Sequence, residues 1–297
     1  MKVAVTGSSG LIGSHLVAAL RADGHEVLTL VRRPPRAPGE VRWDPAAGTI
    51  DAAALAGVDA AVNLAGPGIG AKRWTDAYRR TLRESRVQAT NLIATTLAQL
   101  DPRPRVLISA SAIGYYGDRA ATPLTEDASP GNGFLADLCR DWEAATAPAA
   151  EAGIRVCLLR TGIVLSRTGG ALRKQLPIFY AGLGGPLGSG EHYVSWISLD
   201  DEIAAIRFLL ETDISGPVNL TAPNPLPQKH FARALGKALH RPAVIPVPQF
   251  AVRLALGPFA DEGVLAGQRV LPGVLQQAGF AFADPDIAAG LASALHR

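Results

Sequence analysis

A glycine-rich turn directly behind the first apolar segment constrains the fold of this chain more than any other feature. Val3-Ala4-Val5 predicts a buried strand, and an apolar helical pattern follows the turn. In a dinucleotide-binding βαβ unit the glycines allow the tight turn, the approach of a pyrophosphate and close packing of the helix. Free N–H groups at the helix start bind the diphosphate. We therefore predict a nucleotide site that includes Gly7, Ser9, Gly10, Leu11, Ile12 and Gly13.

The end of the second predicted strand indicates which nucleotide is bound. Residues 26–31 form a second apolar segment, and Arg32 and Arg33 follow it. NAD-specific sites usually place an acid about 20 residues after the glycines, where it accepts a hydrogen bond from the ribose 2′-hydroxyl. Arginine instead binds a 2′-phosphate through charge-assisted hydrogen bonds. The pair predicts NADP(H) as the cofactor; the alternative is that both arginines are ordinary solvated loop charges.

Strand and helix patterns alternate over the first two thirds of the chain, which predicts an α/β fold. We expect a Rossmann-like, doubly wound parallel sheet with a smaller, mostly helical C-terminal lobe. The predicted elements after the second strand are strands at 40–44, 58–65, 105–111, 155–160, 193–197 and 244–247, and helices at 75–100, 133–152 and 200–210.

The pattern of the sequence changes after Ser166, where glycine-rich, loop-like segments replace the regular alternation of strand and helix patterns. We predict an NADP-binding domain at 1–222, in which a loop or lid at 167–192 contributes to the substrate side, and a small C-terminal substrate lobe at 223–297. The glycine-rich stretch 182–190 is interpreted either as a mobile lid over the substrate or as a rigid structural turn.

Composition excludes several classes of protein. The net charge is only +3 and the arginines are spread among acids, which argues against nucleic-acid binding. We expect no signal peptide, because the sequence begins with the predicted nucleotide strand, and no membrane span at 243–260, because prolines and an arginine interrupt that apolar stretch. We expect a cytoplasmic protein that does not associate with membranes, with both cysteines as buried thiols. The histidines show no metal-ligand spacing, so no metal is expected.

Several further motifs resemble the short-chain dehydrogenase/reductase superfamily in its extended, epimerase/dehydratase-like form. They are the N-terminal glycine motif, Asn63-Leu64-Ala65-Gly66, Ser109-Ala110-Ser111 followed by Tyr115-Tyr116-Gly117, and Trp196-Ile197-Ser198. Residues 184–190 and 267–272 are similar to motifs of an atypical branch known as epimerase family proteins. The resemblance to this branch covers nearly the whole chain. The resemblance implies an NADP(H) site that, besides the residues above, includes Leu64, Ala65, Gly66, Arg86, Ser109 and Val164.

The catalytic pattern of the superfamily is not retained. Its members use a tyrosine and a lysine four residues later on one helix face. No tyrosine of this chain is followed by lysine at that spacing. When Glu143 is aligned with the family's downstream acid, Leu135 and Cys139 occupy the two catalytic places. The remaining candidates for catalysis are Ser111, Tyr115 and Tyr116, although serines at a strand end also satisfy backbone groups in purely structural roles.

Two functions follow from these observations. The first is an NADP(H)-dependent oxidoreductase or epimerase-like enzyme that acts on a small carbonyl, hydroxyl or sugar-like compound. The second, favoured by the missing tyrosine–lysine pair, is a regulatory protein that senses NADP(H) without turnover. A small-molecule substrate is the expected partner, and a homodimer is compatible with the sequence.

Overall fold

A computed structural model describes residues 1–296. The strands are β1 (Lys2–Thr6), β2 (Glu26–Val31), β3 (Glu40–Asp44), β4 (Thr49–Ile50), β5 (Ala60–Asn63), β6 (Val106–Ala112), β7 (Pro123–Leu124), β8 (Arg155–Thr161), β9 (Ile163–Leu165), β10 (Tyr193–Val194), β11 (Trp196–Ser198), β12 (Gly216–Leu220), β13 (Leu226–Pro227) and β14 (Arg269–Val270). The α-helices are α1 (Leu11–Ala22), α2 (Asp76–Gln99), α3 (Phe134–Ala144), α4 (Ala147–Glu151), α5 (Gly170–Tyr180), α6 (Leu199–Glu211), α7 (Gln228–Ala238), α8 (Gln249–Leu256), α9 (Phe259–Gly263), α10 (Gly273–Gln277) and α11 (Ile287–His296).

The central sheet has eight strands in the order β12-β8-β6-β5-β1-β2-β3-β4. The chain leaves β1 in one direction towards β2 and β3 and returns on the other side through β5, so the strand order reverses at β1. Neighbouring strands β5, β1 and β2 are parallel, and Val3 lies beside both Val27 and Ala60. Ligands of such folds bind where the strand order reverses, at the carboxyl ends of the strands. The strand order and the parallel pairing confirm the predicted Rossmann-like architecture.

The strands at the centre of the sheet form because nearly all of their side chains are apolar and buried. Val3, Ala4 and Val5 are at most 1% exposed, as are Ala60, Ala61 and Val62. Continuous apolar runs of this kind are typical of parallel strands covered on both faces. Ile93 and Leu97 on α2 are buried in the core that lies on one face of the sheet.

The chain divides into two compact units, each built from separate segments. The first comprises Met1–Ser111, Leu138–Leu159 and Ile206–Pro217. The second comprises Ala112–Asp137, Arg160–Ala205 and the residues from Val218 onward, and its core includes Trp196 and Phe231. The functional division at residues 222 and 223 stays a prediction.

Three predicted elements differ in the structure. The loop or lid predicted over 167–192 contains helix α5, which forms because Leu172, Leu176 and Phe179 bury one helical face. The single helix predicted over 133–152 is interrupted between α3 and α4, where the Thr146 hydroxyl donates to the Glu143 carbonyl at 2.7 Å. Pro148 lies in the first turn of α4 and has no N–H with which to continue the preceding helix. The strand predicted at 244–247 is absent, and Val247 forms only an isolated bridge with Leu187. Pro246 cannot donate to a ladder there.

Between residues 1 and 296, no helix has both the length and the apolar character that crossing a bilayer requires. Cys139 and Cys157 are free thiols and both are buried, as predicted.

Candidate functional site

The glycine turn after β1 lies against two backbone segments. Gly7 has a φ of +65°, and a Cβ atom there would lie 2.5 Å from the Leu64 carbonyl oxygen. A Cβ atom on Gly13 would lie 2.2 Å from the Gly7 carbonyl oxygen. Both distances are far below van der Waals contact, so these positions accept only glycine. The turn therefore sits directly beside the end of β5, as the dinucleotide motif predicts.

The amino end of α1 is open. Gly10 is its N-cap and provides no side-chain hydrogen bond, and the first turn contains no acid. Leu11 and Ile12 are partly exposed, and Ser9 is exposed. The first N–H groups of a helix lack intrahelical acceptors and lie at the positive end of the helix dipole. This end of α1 therefore suits the diphosphate of a dinucleotide, and the residues present fit that group.

A buried network of polar side chains fixes the ends of β1, β5 and β6. The Thr6 hydroxyl donates to Asn63 Oδ1 at 2.7 Å, and Asn63 Nδ2 donates to Thr90 at 2.8 Å and to Ser109 at 3.2 Å. Trp142 Nε1 also donates to the Thr90 hydroxyl, at 2.9 Å. Ser109 is fully buried in this network. Its contact with the cofactor stays a prediction, and its position favours a structural role.

Arg86 supports the segment that follows β5. Its guanidinium donates to the Pro67 carbonyl at 2.9 Å and lies 5.0 Å from the centre of the Trp142 ring. Burial lowers the pKa of Arg86. Arg86 also packs against Gly66, where a Cβ atom would lie 3.3 Å from Cζ. The structure thus places Arg86 beside the segment Leu64, Ala65 and Gly66. The hydrogen bond of Arg86 after β5 goes to a backbone carbonyl, that of Pro67.

The two arginines after β2 have different surroundings. Arg32 is exposed, and its side chain makes no hydrogen bond or ion pair within residues 1–296. The Arg33 guanidinium instead donates to both carboxylate oxygens of Glu40, at 2.5 and 2.8 Å. Hydrogen bonds from Arg33 and from the backbone hold the pKa of Glu40 down to about 2. Although no acid follows β2 directly, the fold therefore places one beside Arg33.

Ser111 lies at the end of β6 and contacts an acid on α3. Ser111 is only 4% exposed, and its hydroxyl donates to Glu143 Oε1 at 2.6 Å. The β6 strand runs parallel to β5, with Ser109 beside Asn63, so Ser111 lies at the same sheet edge as the glycine turn. Since the hydroxyl proton is directed to the carboxylate, the lone pairs of the serine oxygen are left to accept from a substrate hydroxyl.

The two tyrosines belong to the second unit and differ in exposure. The Tyr116 side chain is fully buried; its hydroxyl donates to Asn219 Oδ1 at 2.6 Å and accepts from Arg160 at 3.1 Å. Burial raises the pKa of Tyr116 to about 12. Tyr115 is half-buried, with the Arg160 guanidinium 3.5 Å from its ring centre. Catalysis by either stays a prediction, and the burial of Tyr116 argues for a structural role.

Val164 lies in β9, where it pairs with Ile197 of β11, and it is half-buried. Its predicted contact with the cofactor stays a prediction. In the described part of the chain, no three or more His, Cys, Asp or Glu residues are grouped in a way that would hold a metal ion.

Sequence reasoning missed two acids that the fold brings to predicted site residues. Glu40 is the first residue of β3, and the register that sets Glu40 beside Thr29 brings it near Arg33. An acid that begins the strand after an arginine-rich turn is a weak signal for such a pair. Glu143 lies 32 residues after Ser111, and this spacing gives no sign of the contact.

The open helix end, the glycine turn and the reversal of strand order define a Rossmann-type dinucleotide-binding protein. The model of the NAD dependent epimerase/dehydratase family matches residues 3–220, so this chain belongs to that family. A second model, for a domain of unknown function, matches residues 247–294.

Similar proteins cover the full length of the chain. An epimerase family protein of Mycobacterium bovis is 49% identical, over 99% of this chain and 98% of its own. The crystal structure of human epimerase family protein SDR39U1 (isoform 2) with NADPH has a TM-score of 0.91 and 33% identity, covering 100% of both chains. A nucleoside-diphosphate sugar epimerase from Corynebacterium glutamicum has a TM-score of 0.82 and 39% identity, covering 99% of this chain and 58% of its own.

Proposed function

We propose that this chain binds NADP(H) and catalyses hydride transfer to or from a small carbonyl, hydroxyl or sugar-like compound. The open amino end of α1 beside the glycine turn is the observation on which the proposal depends most. The similar human protein crystallised with NADPH supports the choice of cofactor. A neighbour named as a nucleoside-diphosphate sugar epimerase supports a sugar-like substrate.

Each part of the cofactor would contact a different group of residues in this proposal. The N–H groups of Leu11, Ile12 and Gly13 bind the diphosphate, with Ser9 and Gly10 beside it. Arg32 provides positive charge for the 2′-phosphate, and Arg33 lies beside it in the same turn. The adenosine side is lined by Leu64, Ala65 and Gly66, which Arg86 holds in position. When bound, the cofactor supplies the hydride.

Removal of the Arg32 guanidinium tests the choice of cofactor. We expect Arg32→Ala to weaken NADPH binding by roughly 2 kcal/mol, because a charge-assisted contact to the phosphate is lost. NADH lacks that phosphate, so its dissociation constant should change little. Isothermal titration calorimetry with both nucleotides measures the two effects. Equal weakening of both would contradict the assignment of Arg32 to the 2′-phosphate.

Ser111 and Glu143 provide the chemistry for proton transfer in this proposal. Ser111 Oγ accepts a hydrogen bond from a substrate hydroxyl, and the proton moves through the serine oxygen towards the Glu143 carboxylate. In the opposite direction, a protonated Glu143 donates through Ser111 to a carbonyl oxygen. The hydrogen bond between Ser111 and Glu143 supports this route for the proton. No tyrosine–lysine pair is needed.

The pair can be tested by substitution of the acid. We expect Glu143→Gln to lower turnover of a panel of aldehydes, ketones and sugars by about 100-fold, because the proton acceptor is lost. NADPH affinity should not change, since the acid does not bind the cofactor in this proposal. Glu151→Gln, at an exposed acid on α4, is the matched control. An active Glu143→Gln variant would contradict the role of the pair.

A non-catalytic NADP(H) sensor is the second candidate function. The observation that favours it is the burial of Leu135 and Cys139, which stand at the two places where the superfamily has its tyrosine and lysine. Tight NADPH binding by the unaltered chain, with no turnover of any compound in the panel, would favour the sensor over the enzyme.

A further inference from the structure

The carboxylate of Glu40 accepts three hydrogen bonds from the turn that precedes β3. Its two oxygens accept both N–H donors of Arg33 and the backbone N–H of Arg36, which lies 2.6 Å from Oε2. These three donors fill most of the about four lone-pair positions that a carboxylate offers, so a ribose hydroxyl would have to compete with them for Glu40.

The loop that these bonds close lies at the carboxyl end of β2. The β2 strand ends at Val31 and β3 begins at Glu40, so the turn consists of residues 32–39. Thr29 N donates to the Gly39 carbonyl at 2.8 Å, which fixes the far end of the turn against β2. Arg33 and Glu40 thus form a neutral, hydrogen-bonded pair across the turn, while Arg32 extends from the turn without an intramolecular partner in residues 1–296.

We propose that Arg33 is a specificity-determining positioning residue that acts through Glu40, and that it does not itself bind the 2′-phosphate. By occupying and neutralising Glu40, Arg33 prevents this acid from accepting a ribose 2′-hydroxyl and from repelling a phosphate. The preference for NADPH over NADH then depends on Arg32 directly and on Arg33 indirectly. This inference rests on the proposed function.

The alternative is that Arg33 leaves Glu40 and binds the phosphate. The two geometries predict different results for a double substitution. If Arg33 acts through Glu40, loss of Arg33 is harmful only while the carboxylate is present, and a second substitution that neutralises Glu40 restores selectivity. If Arg33 binds the phosphate, neutralising Glu40 cannot replace the missing guanidinium.

The experiment measures dissociation constants of NADPH and NADH for the unaltered chain and for Arg33→Ala, Glu40→Gln and the double variant. We expect Arg33→Ala to lower the NADPH preference by about tenfold, because the Glu40 charge is then uncompensated near the phosphate. Glu40→Gln should keep a preference at or above that of the unaltered chain. The double variant should return to within about threefold of it. Glu26→Gln, an exposed acid at the opposite end of β2, controls for the change in net charge.

Each outcome identifies which proposal fails. A double variant that is as unselective as Arg33→Ala would overturn the inference, and so would an Arg33→Ala variant with unchanged preference. No preference for NADPH in the unaltered chain would instead contradict the proposed function. Thermal unfolding of each variant shows whether it is folded; if Arg33→Ala unfolds, Arg33→Met keeps the aliphatic packing and tests the same point.

Discussion

Gly10→Val is expected to abolish binding of both NADPH and NADH while leaving the chain folded. Gly10 has an extended backbone, with φ −77° and ψ 172°, which valine adopts readily. A Cβ atom there would lie 3.2 Å from the Gly7 carbonyl oxygen, so a shift of a few tenths of an ångström accommodates it. The rest of the side chain would occupy the space in front of the open helix end, where the diphosphate binds in the proposed function.

The expected loss is more than about 100-fold in affinity, or roughly 2.7 kcal/mol, for each nucleotide. Calorimetry measures it, and a melting curve checks the fold. Ala18→Val adds a branched side chain at an exposed position of the same helix and should bind normally. Gly13 is unsuitable for this test because its packing against Gly7 would confuse unfolding with loss of binding. Retained affinity for either nucleotide would show that the helix end is not the cofactor site.

The local features of the fold could be predicted from the sequence because they depend on neighbouring residues. The strand, turn and helix at residues 2–22 follow from an apolar run, spaced glycines and helical periodicity, and the structure agrees with them. The apolar pattern alone does not indicate the interruption at Thr146. The interruption follows from Pro148, which cannot continue the helix.

Pairings between distant residues could not be predicted. The contact of Arg33 with Glu40 depends on the register of β2 and β3, and that of Ser111 with Glu143 depends on how α3 packs. Adjacent tyrosines present the same difficulty. Residues 113–116 form a short 3₁₀ turn that directs Tyr116 into the core and leaves Tyr115 half-buried, and the sequence does not show which of the two is buried.

We expect Glu202 to make the stability of the folded chain depend on pH. It lies in the first turn of α6, where a negative charge is normally favourable. Its side chain is fully buried, however, and its one hydrogen bond in residues 1–296 comes from the Thr161 hydroxyl, at 3.0 Å from Oε1. Its other oxygen, Oε2, is buried without a partner among the same residues. The effect of burial therefore outweighs the favourable effect of the helix N-terminus on a negative charge, and it raises the pKa of Glu202 to about 8.

An acid whose pKa is higher in the folded state binds more protons there than in the unfolded chain. Its contribution to stability is complete below the ordinary glutamate pKa and is lost as the pH rises to the folded value. Between about pH 5 and pH 8 we expect this residue to lower the free energy of unfolding by ~1.4 kcal/mol per pH unit. Glu202→Gln, which resembles the protonated acid, should remove that part of the slope.

Urea denaturation at several pH values, for the unaltered chain and for Glu202→Gln, measures the difference between the two slopes. Burial also raises the pKa of the neighbouring Asp201, which adds a slope of the same sign in both proteins, so only their difference reports on Glu202. Glu211→Gln, at an exposed position of α6, should leave the slope unchanged. Identical slopes for Glu202→Gln and the unaltered chain would mean that Glu202 ionises in the folded protein as it does in the unfolded one, despite its complete burial.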